Sequence, residues 1–351
     1  MKKNRVFNTT ALSIASLVIF LVLAVLQYFN IIDEYNGQLL TLAGIYAIVS
    51  LSLNLITGFA GQLALGHAGF MAIGAYGTAI SVQKFGIPLF ISIFIGAIIT
   101  ALFGLLIGFP TLRLRGDYLA ITTLGFAEII KVMIENLGDL TGGAAGLKGI
   151  PPFSDTGDFM LDAVIKFSWV FGFFILTLVV VSNFIKSSPG RAVISIREDE
   201  IASNSMGINV AYYKMFAFTL SAFFAGIGGG LYAAYFGYLN PNMFGFMNSV
   251  NFVVIIVLGG LGSLTGTVLA STVFVYIREW LDVFGDLRLV IFGLILILIM
   301  LFWQRGIMGT KEFSVVGFTR NLLAGKYKPA YIAQSIRSLF SKSKNNTTEV
   351  K

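Results

Sequence analysis

Long apolar runs, each about the length needed to cross a bilayer, alternate along this chain with short polar stretches. Residues 11–29 (ALSIASLVIFLVLAVLQYF) carry no charge and match the roughly 20 helical residues that span about 30 Å of hydrocarbon. Comparable runs cover 39–56, 63–82, 87–109, 118–137, 164–185, 211–236 and 289–303. The stretch 250–281 is too long for one upright helix and is interrupted by Gly259, Gly260, Leu261, Gly262 and Ser263. It predicts a hairpin, or two half-helices, that returns the chain to the face it entered from. The fold class expected is all-α, a polytopic membrane protein with about eight long transmembrane helices and a glycine-broken helical hairpin. The first run is longer than a signal-peptide core and shows no small-x-small site before Asp33, so it is read as a retained span.

Composition narrows the class. Of 351 residues, 56% are hydrophobic and 12% charged, against about a quarter charged in ordinary soluble domains. A water-facing surface cannot be built from that remainder. The net charge of +7 is therefore read by position and not as a nucleic-acid signal. Lys2, Lys3, Arg5, Arg113, Arg115, Lys186, Arg191, Arg197 and the tail from Arg305 fall on one side of an alternating map, 17 of the 24 Lys and Arg. Asp33, Glu34, Asp139, Asp155, Asp158 and Asp162 fall on the other. The positive-inside rule then puts both termini in the cytoplasm. The absence of cysteine excludes disulfides, thiolate metal sites and a cysteine nucleophile, and a single histidine leaves little for zinc or a Ser-His-Asp triad. An intramembrane enzyme is disfavoured for want of a nucleophile paired with a base.

Three segments stand out within this frame. Residues 57–77 (TGFAGQLALGHAGFMAIGAYG) place small residues where an oily span would show Leu and Val. They are read either as close helix packing or as a broken helix on a substrate path, with Gly61, Gln62 and His67 as candidate pathway residues. Residues 138–151 (GDLTGGAAGLKGIP) form a glycine-rich stretch on the outer side. It reads as an outer gate or docking loop, with Thr141, Gly142 and Gly143 as candidates, or as a plain connection. The turn holding Gly259, Gly260 and Gly262 is either a pathway wall or a tight loop, because broken backbone at membrane depth needs protein or a watery cavity around it. No GxxxxGK[ST] occurs, so no phosphate-binding loop for ATP is present.

The longest cytoplasmic connection, SSPGRAVISIREDEIASNSMGIN (187–209), reads as one helix. Ser188 is the expected N-cap, Pro189 the first helical position and Gly207 the left-handed stop. Val193, Ile196, Ile201 and Met206 predict an apolar stripe, with Arg191, Arg197, Glu198, Asp199 and Glu200 toward water or a protein. Three acids there suit a protein partner better than anionic lipid.

Taken together in order, GFAGQLALGHAGFMAIGAY (58–76), LRLRGDYLAITTLGFAEII (112–130), TGGAAGLKGIP (141–151), SPGRAVISIREDEIASNSMGIN (188–209) and GGLGSLTG (259–266) resemble the LivM-type permeases of ABC importers for branched-chain amino acids. The resemblance covers most of 39–305. It implies a permease subunit, not an enzyme, in a bacterial or archaeal cytoplasmic membrane. It would form half of a translocation pathway for Leu, Ile and Val with a LivH-type second permease. Two cytoplasmic ABC ATPases would use ATP and Mg, and an extracytoplasmic substrate-binding protein would deliver the substrate. The chain itself is expected to bind no cofactor and no metal. By the same resemblance 188–207 is the coupling helix, matched at Arg191, Arg197, Glu198, Asp199, Glu200, Ala202 and Gly207; Ser203 stands where relatives often carry a second Ala. Related permeases for urea, another amino acid, or sugars and nucleosides share parts of the pattern. An ion-coupled secondary transporter is the alternative from another class.

The implied organisation is an N-terminal tail and first span (1–38), a permease core (39–305) containing the 188–207 helix and the 250–281 hairpin, and a basic cytoplasmic tail (306–351). Within that tail, KYKPAYIAQSIRSLFSKSK (326–344) has the composition of a helix lying on anionic lipid. Two charge groups near the spans carry their own expectations. Glu128 and Lys131 should pair along one helix face, although a proton-coupled carrier would use such an acid as its relay. Arg278, Glu279 and Asp282 should snorkel to the interface.

Overall fold

The computed structural model describes residues 33–111, 114, 116–154 and 157–285, together with Gln27 and scattered positions between 287 and 309. These lie within one compact unit, 16–312. The expected first span apart from Gln27, about two thirds of the last span and nearly all of the tail fall outside the described residues.

The chain is mostly helical. Helix α1 (Glu34–Asn54) continues into a π-helical turn, Leu55–Phe59. There follow α2 (His67–Phe85), α3 (Leu89–Thr111), α4 (Asp117–Asn136) and the single turn α5 (Gly138–Thr141). Next come α6 (Phe159–Lys186), α7 (Ser188–Glu198), α8 (Glu200–Ser205), α9 (Val210–Phe236), α10 (Phe246–Gly259) and α11 (Leu264–Trp280). Two short strands, β1 (Leu147–Lys148) and β2 (Tyr238–Leu239), pair antiparallel with Leu147 opposite Leu239. Among the described residues five segments are long and apolar enough to cross a membrane: 34–59, 89–111, 161–186, 210–236 and 241–259.

Burial ranks these segments. The apolar window of α1 is 89% buried and that of α9 72%, against 39% for α3 and for α6. The first two are therefore the centre of the bundle and the others its rim. α1 is flanked by α6, α9, α10 and α11, while α9 packs on α2 and α3. Leu and Val supply no net hydrophobic drive between helices in lipid, so association depends on close van der Waals approach. That approach is made by small residues at the α2–α9–α3 crossing. A Cβ on Gly74 would run into the Gly226 backbone, and one on Gly229 into the Met71 carbonyl. Around them Ala75, Ala97, Ala222 and Ala225 are fully buried.

The connections segregate to two ends. At one, Gln83 Nε2 donates to the Lys148 carbonyl (2.8 Å), Lys84 Nζ to the Asp139 carbonyl, Ile150 N to the Gly237 carbonyl (3.0 Å) and Tyr35 OH to Glu279 Oε1 (3.1 Å). The other gathers the end of α1, the α7–α8 segment, the α10–α11 turn and Gly306–Ile307, where Ile307 N donates to the Leu258 carbonyl (2.7 Å).

Four expectations are corrected. Lys131 reaches Glu135 at 4.0 Å, an i,i+4 spacing, and not Glu128. Arg278 does not only reach outward: its Nη1 donates to Tyr46 OH at 2.8 Å, because the phenol on α1 offers its guanidinium an acceptor within the bundle. The α7–α8 segment is two helices. Asp199 leaves helical geometry (φ −155°, ψ 110°) and its Oδ1 accepts from Ile201 N and Ala202 N, both at 2.9 Å, which starts a new helix and ends the old one. The first cap is Ser187, whose Oγ accepts from Gly190 N at 3.2 Å, one residue ahead of the expected Ser188.

The glycine contact yields a stability prediction. Gly229→Val drives its side chain into backbone that cannot move aside, and is expected to destabilise the bundle by about 3 kcal/mol or more. Thermal unfolding in detergent should show a marked fall in Tm relative to the wild type.

Candidate functional site

The α10–α11 turn is where the separated motifs meet. Gly260 (φ 107°) and Gly262 (φ 81°) hold conformations that side-chain-bearing residues rarely adopt, which lets Gly259 end α10 and Ser263 cap α11 through Gly266 N (3.1 Å) within a few residues. A reversal this sharp leaves backbone groups without helical partners. Asn54, fully buried in the last turn of α1, supplies the partner for one of them, Gly262 N, and ties the start of α11 to α1. Its Nδ2 donates to the Ser263 carbonyl (3.0 Å) and to Thr267 Oγ1 (2.9 Å), and its Oδ1 accepts from Gly262 N (2.9 Å).

Directly against this turn lies the end of α1, and against that lies Arg197. The π-helical turn leaves the Gly58 carbonyl to an outside donor, and Arg197 Nη1 supplies it at 2.5 Å. A Cβ on Gly61 would stand 2.9 Å from Arg197 Cγ, and one on Gly262 3.2 Å from Arg197 Nη1. Three separate sequence motifs thus close around one guanidinium. A charge-assisted hydrogen bond of this kind contributes about 1.5–3 kcal/mol.

The rest of 187–207 sorts into inward and outward groups. Val193 and Ile196 are buried, whereas Ile201 and Met206 stand 73% and 82% exposed, so the expected apolar stripe is split between the two helices. Glu200 turns inward to Lys214 Nζ at 2.9 Å, tying α8 to α9. Asp199 is engaged as the α8 cap. Glu198 faces water (side chain 74% exposed), 4.0 Å from Arg197 Nε. Arg191 reaches the Lys186 carbonyl at 2.6 Å. Ala202 donates its N–H to the cap, and Gly207 (φ 83°) stops the helix. The surface that remains on α8 is an apolar knob, Ile201 and Met206, beside one carboxylate, Glu198.

The irregular run 60–66 between the π-turn and α2 is bonded to its neighbours. Gln62 N donates to the Ile56 carbonyl (3.1 Å), Leu65 N to Thr123 Oγ1 (3.1 Å) and Ala68 N to Ser249 Oγ (3.1 Å). Gln62 is buried, and its Oε1 has no partner among the described residues. His67 is buried too. Ser52 Oγ gives its proton to the Val49 carbonyl (2.7 Å), so His67 Nε2, 2.7 Å from the same oxygen, is the donor there. Ser221 Oγ donates to the Ser52 carbonyl, so α1, α2 and α9 meet at one polar knot.

Thr141, Gly142 and Gly143 are not part of this cluster. Gly66 and Gly69 pack against Thr123 and Ala127 on the first half of α4, whereas Thr141 lies past its far end. There its Oγ1 donates to the Ile134 (2.6 Å) and Leu137 (2.8 Å) carbonyls. Gly142 and Gly143 both take positive φ (72° and 59°), and the strand pairing closes the segment onto β2, so this stretch is an ordered cap on α4. Beneath it is an apolar cavity of about 460 Å³ walled by α2, α3 and α4, including Tyr76, Ile99, Ile130 and Thr141. Tyr76 OH is buried without a partner among the described residues.

Sequence reasoning missed Asn54, Ser52 and Lys214. Asn54 had one available signal: a carboxamide inside an otherwise apolar span needs buried partners.

Asn54→Ala strips the turn of its side-chain partners and is expected to cost about 2–3 kcal/mol. Denaturation of the purified chain in detergent checks this; an unchanged midpoint would show that the turn holds itself.

Residues 35–300 match the family described as branched-chain amino acid transport system / permease component. The chain is 37% identical to the high-affinity branched-chain amino acid transport system permease protein LivM of Escherichia coli (strain K12), over 315 residues covering 83% of this chain and 74% of that protein. It is 29% identical over 302 residues to permease protein BraD of Pseudomonas aeruginosa, with 80% of this chain and 96% of that one covered. To permease protein LivH of Escherichia coli (strain K12) it is 25% identical over 303 residues, again 80% and 96%. No solved structure matches.

Proposed function

The chain belongs to the family of permease components of branched-chain amino acid transport systems, and from this premise we propose that it forms half of the membrane pathway of an ATP-driven importer of Leu, Ile and Val. A second, LivH-type permease supplies the other half, two cytoplasmic ATPases bind and hydrolyse ATP with Mg, and an extracytoplasmic binding protein delivers the amino acid. The full span count is about eight plus the hairpin. The end carrying α7, α8 and the glycine turn faces the cytoplasm, in keeping with its basic flanks. The end carrying Thr141–Gly143 and the paired strands faces the binding protein.

One observation carries the mechanism: the guanidinium of Arg197, on the segment that docks the ATPase, is bonded to the Gly58 carbonyl beside the glycine turn. In this reading the exposed knob of α8, Ile201 and Met206 with Glu198, seats in a groove of the ATPase. Arg197 faces the other way and hands the motion to the end of α1 and, through Asn54, to the hairpin. Alternating access then follows from rigid movement of these elements around the pathway. Arg197 thus acts as the link, and Glu198, Ile201 and Met206 as the contact.

These roles separate by experiment. Met206→Asp combined with Glu198→Lys alters only exposed positions; membrane insertion should be retained and ATPase co-purification lost. Normal co-purification would overturn the docking assignment. Arg197→Ala should retain the ATPases while leucine uptake in proteoliposomes falls roughly tenfold, the loss of one charge-assisted contact. Uptake that persists without ATP and collapses with an uncoupler would instead indicate an ion-coupled carrier.

A further inference from the structure

The two rim helices α3 and α4 expose different surfaces. On α3 the outward residues are Phe90, Ile91, Ile98, Leu102, Leu106 and Phe109, all apolar, as contact with lipid tails requires. Helix α4 has 20 residues, about 30 Å and enough to span, yet it is not among the segments apolar enough to do so on composition. Its outward face mixes Tyr118, Ile121, Ile129 and Val132 with Gly125, Glu128 and Asn136. Glu128 is the twelfth of those 20 residues, roughly 16 Å from the start of the helix and near mid-depth. One turn away, a Cβ on Gly125 would meet nothing within 4 Å, so this face of α4 is not covered by the rest of the chain. Lys131, the nearest cation along the helix, is taken by Glu135, and Glu128 makes no hydrogen bond or ion pair among the described residues. A half-exposed carboxyl at that depth cannot face hydrocarbon without heavy cost. It faces a polar pathway.

We propose that Glu128 is the binding residue for the ammonium group of the amino acid as it crosses mid-membrane, with Gly125 leaving room beside it for the substrate. The inference rests on the reading of the chain as an amino-acid permease and extends it to a substrate contact. A carboxylate on this face provides one charge-assisted partner for a zwitterion, and Ile121, two turns before Glu128 on the same face, adds apolar surface beside the path. No bond is made or broken, and binding is set by a single charge pair.

The test uses the complete importer with its second permease, ATPases and binding protein in proteoliposomes. Glu128→Gln is expected to lower leucine uptake roughly tenfold while loaded binding protein still stimulates ATP hydrolysis; Glu128→Asp, which keeps the charge, should recover most of the uptake. Because the chain has no cysteine, Glu128→Cys gives a second readout. A membrane-impermeant thiol reagent should label it at least roughly tenfold faster than Leu102→Cys on α3, since thiolate forms in water and not in lipid, and leucine-loaded binding protein with ATP should slow the labelling. Wild-type uptake in Glu128→Gln, or Glu128→Cys as unreactive as Leu102→Cys, overturns the inference alone. A wild-type importer that carries no branched-chain amino acid removes the transport reading and this inference with it.

Discussion

A backbone carbonyl that a helix abandons inside an apolar bundle must find a donor, and at Gly58 that requirement is met by a side chain from 139 residues away, Arg197. The Arg197 side chain is 35% exposed, so the contact sits at the edge of the bundle, where a charge-assisted bond of this kind contributes about 1.5–3 kcal/mol. The π-helical turn at the end of α1 is tolerated because the guanidinium is present. The guanidinium in turn is positioned by α7, whose Val193 and Ile196 are sunk into the bundle.

The same logic orders the surrounding elements. The glycine turn between α10 and α11 is sharp enough to forfeit helical hydrogen bonds, and Asn54, one turn upstream of Gly58, supplies the partner for one of the freed groups, Gly262 N. One stretch of α1 therefore touches both the hairpin and the surface segment. Because α1 is the most buried of the spanning segments, it has no lipid-facing freedom in which to absorb a displacement. Close-packed interiors transmit strain, so in the proposed mechanism a push on α8 would reach the hairpin end through these contacts. The Lys214–Glu200 pair, with Lys214 buried, fastens α8 to α9 by the same principle of a charge that must be matched.

Much of this architecture was legible in the sequence because lipid imposes strong rules: runs of spanning length, glycines at close crossings, and an interrupted run at 250–281. The surface segment was found from its caps and charges, but its division into two helices was not. Asp199 sits in a run of three acids and reads as one more solvated charge, and only the backbone geometry reveals it as a cap. Likewise Arg197 was grouped with the docking residues because charge type does not tell direction; the helix phase that turns it inward depends on where α7 ends. Asn54 and Ser52 are hidden by their small size in an apolar run, and the glycine content of Thr141–Gly143, read as an outer gate or docking loop, does not reveal that the stretch caps α4.

The central claim is that the ATPase-docking segment and the hairpin turn move as one body. Spin labels on cysteines introduced at Asn204 and Leu261, both exposed positions in a chain without native cysteine, would measure it by pulsed electron paramagnetic resonance in the assembled importer. The account predicts the same interlabel distance distribution in the resting and ATP-bound states. A distribution that shifts by several ångströms on ATP binding would show that the segment and the turn slide past each other, and would contradict it.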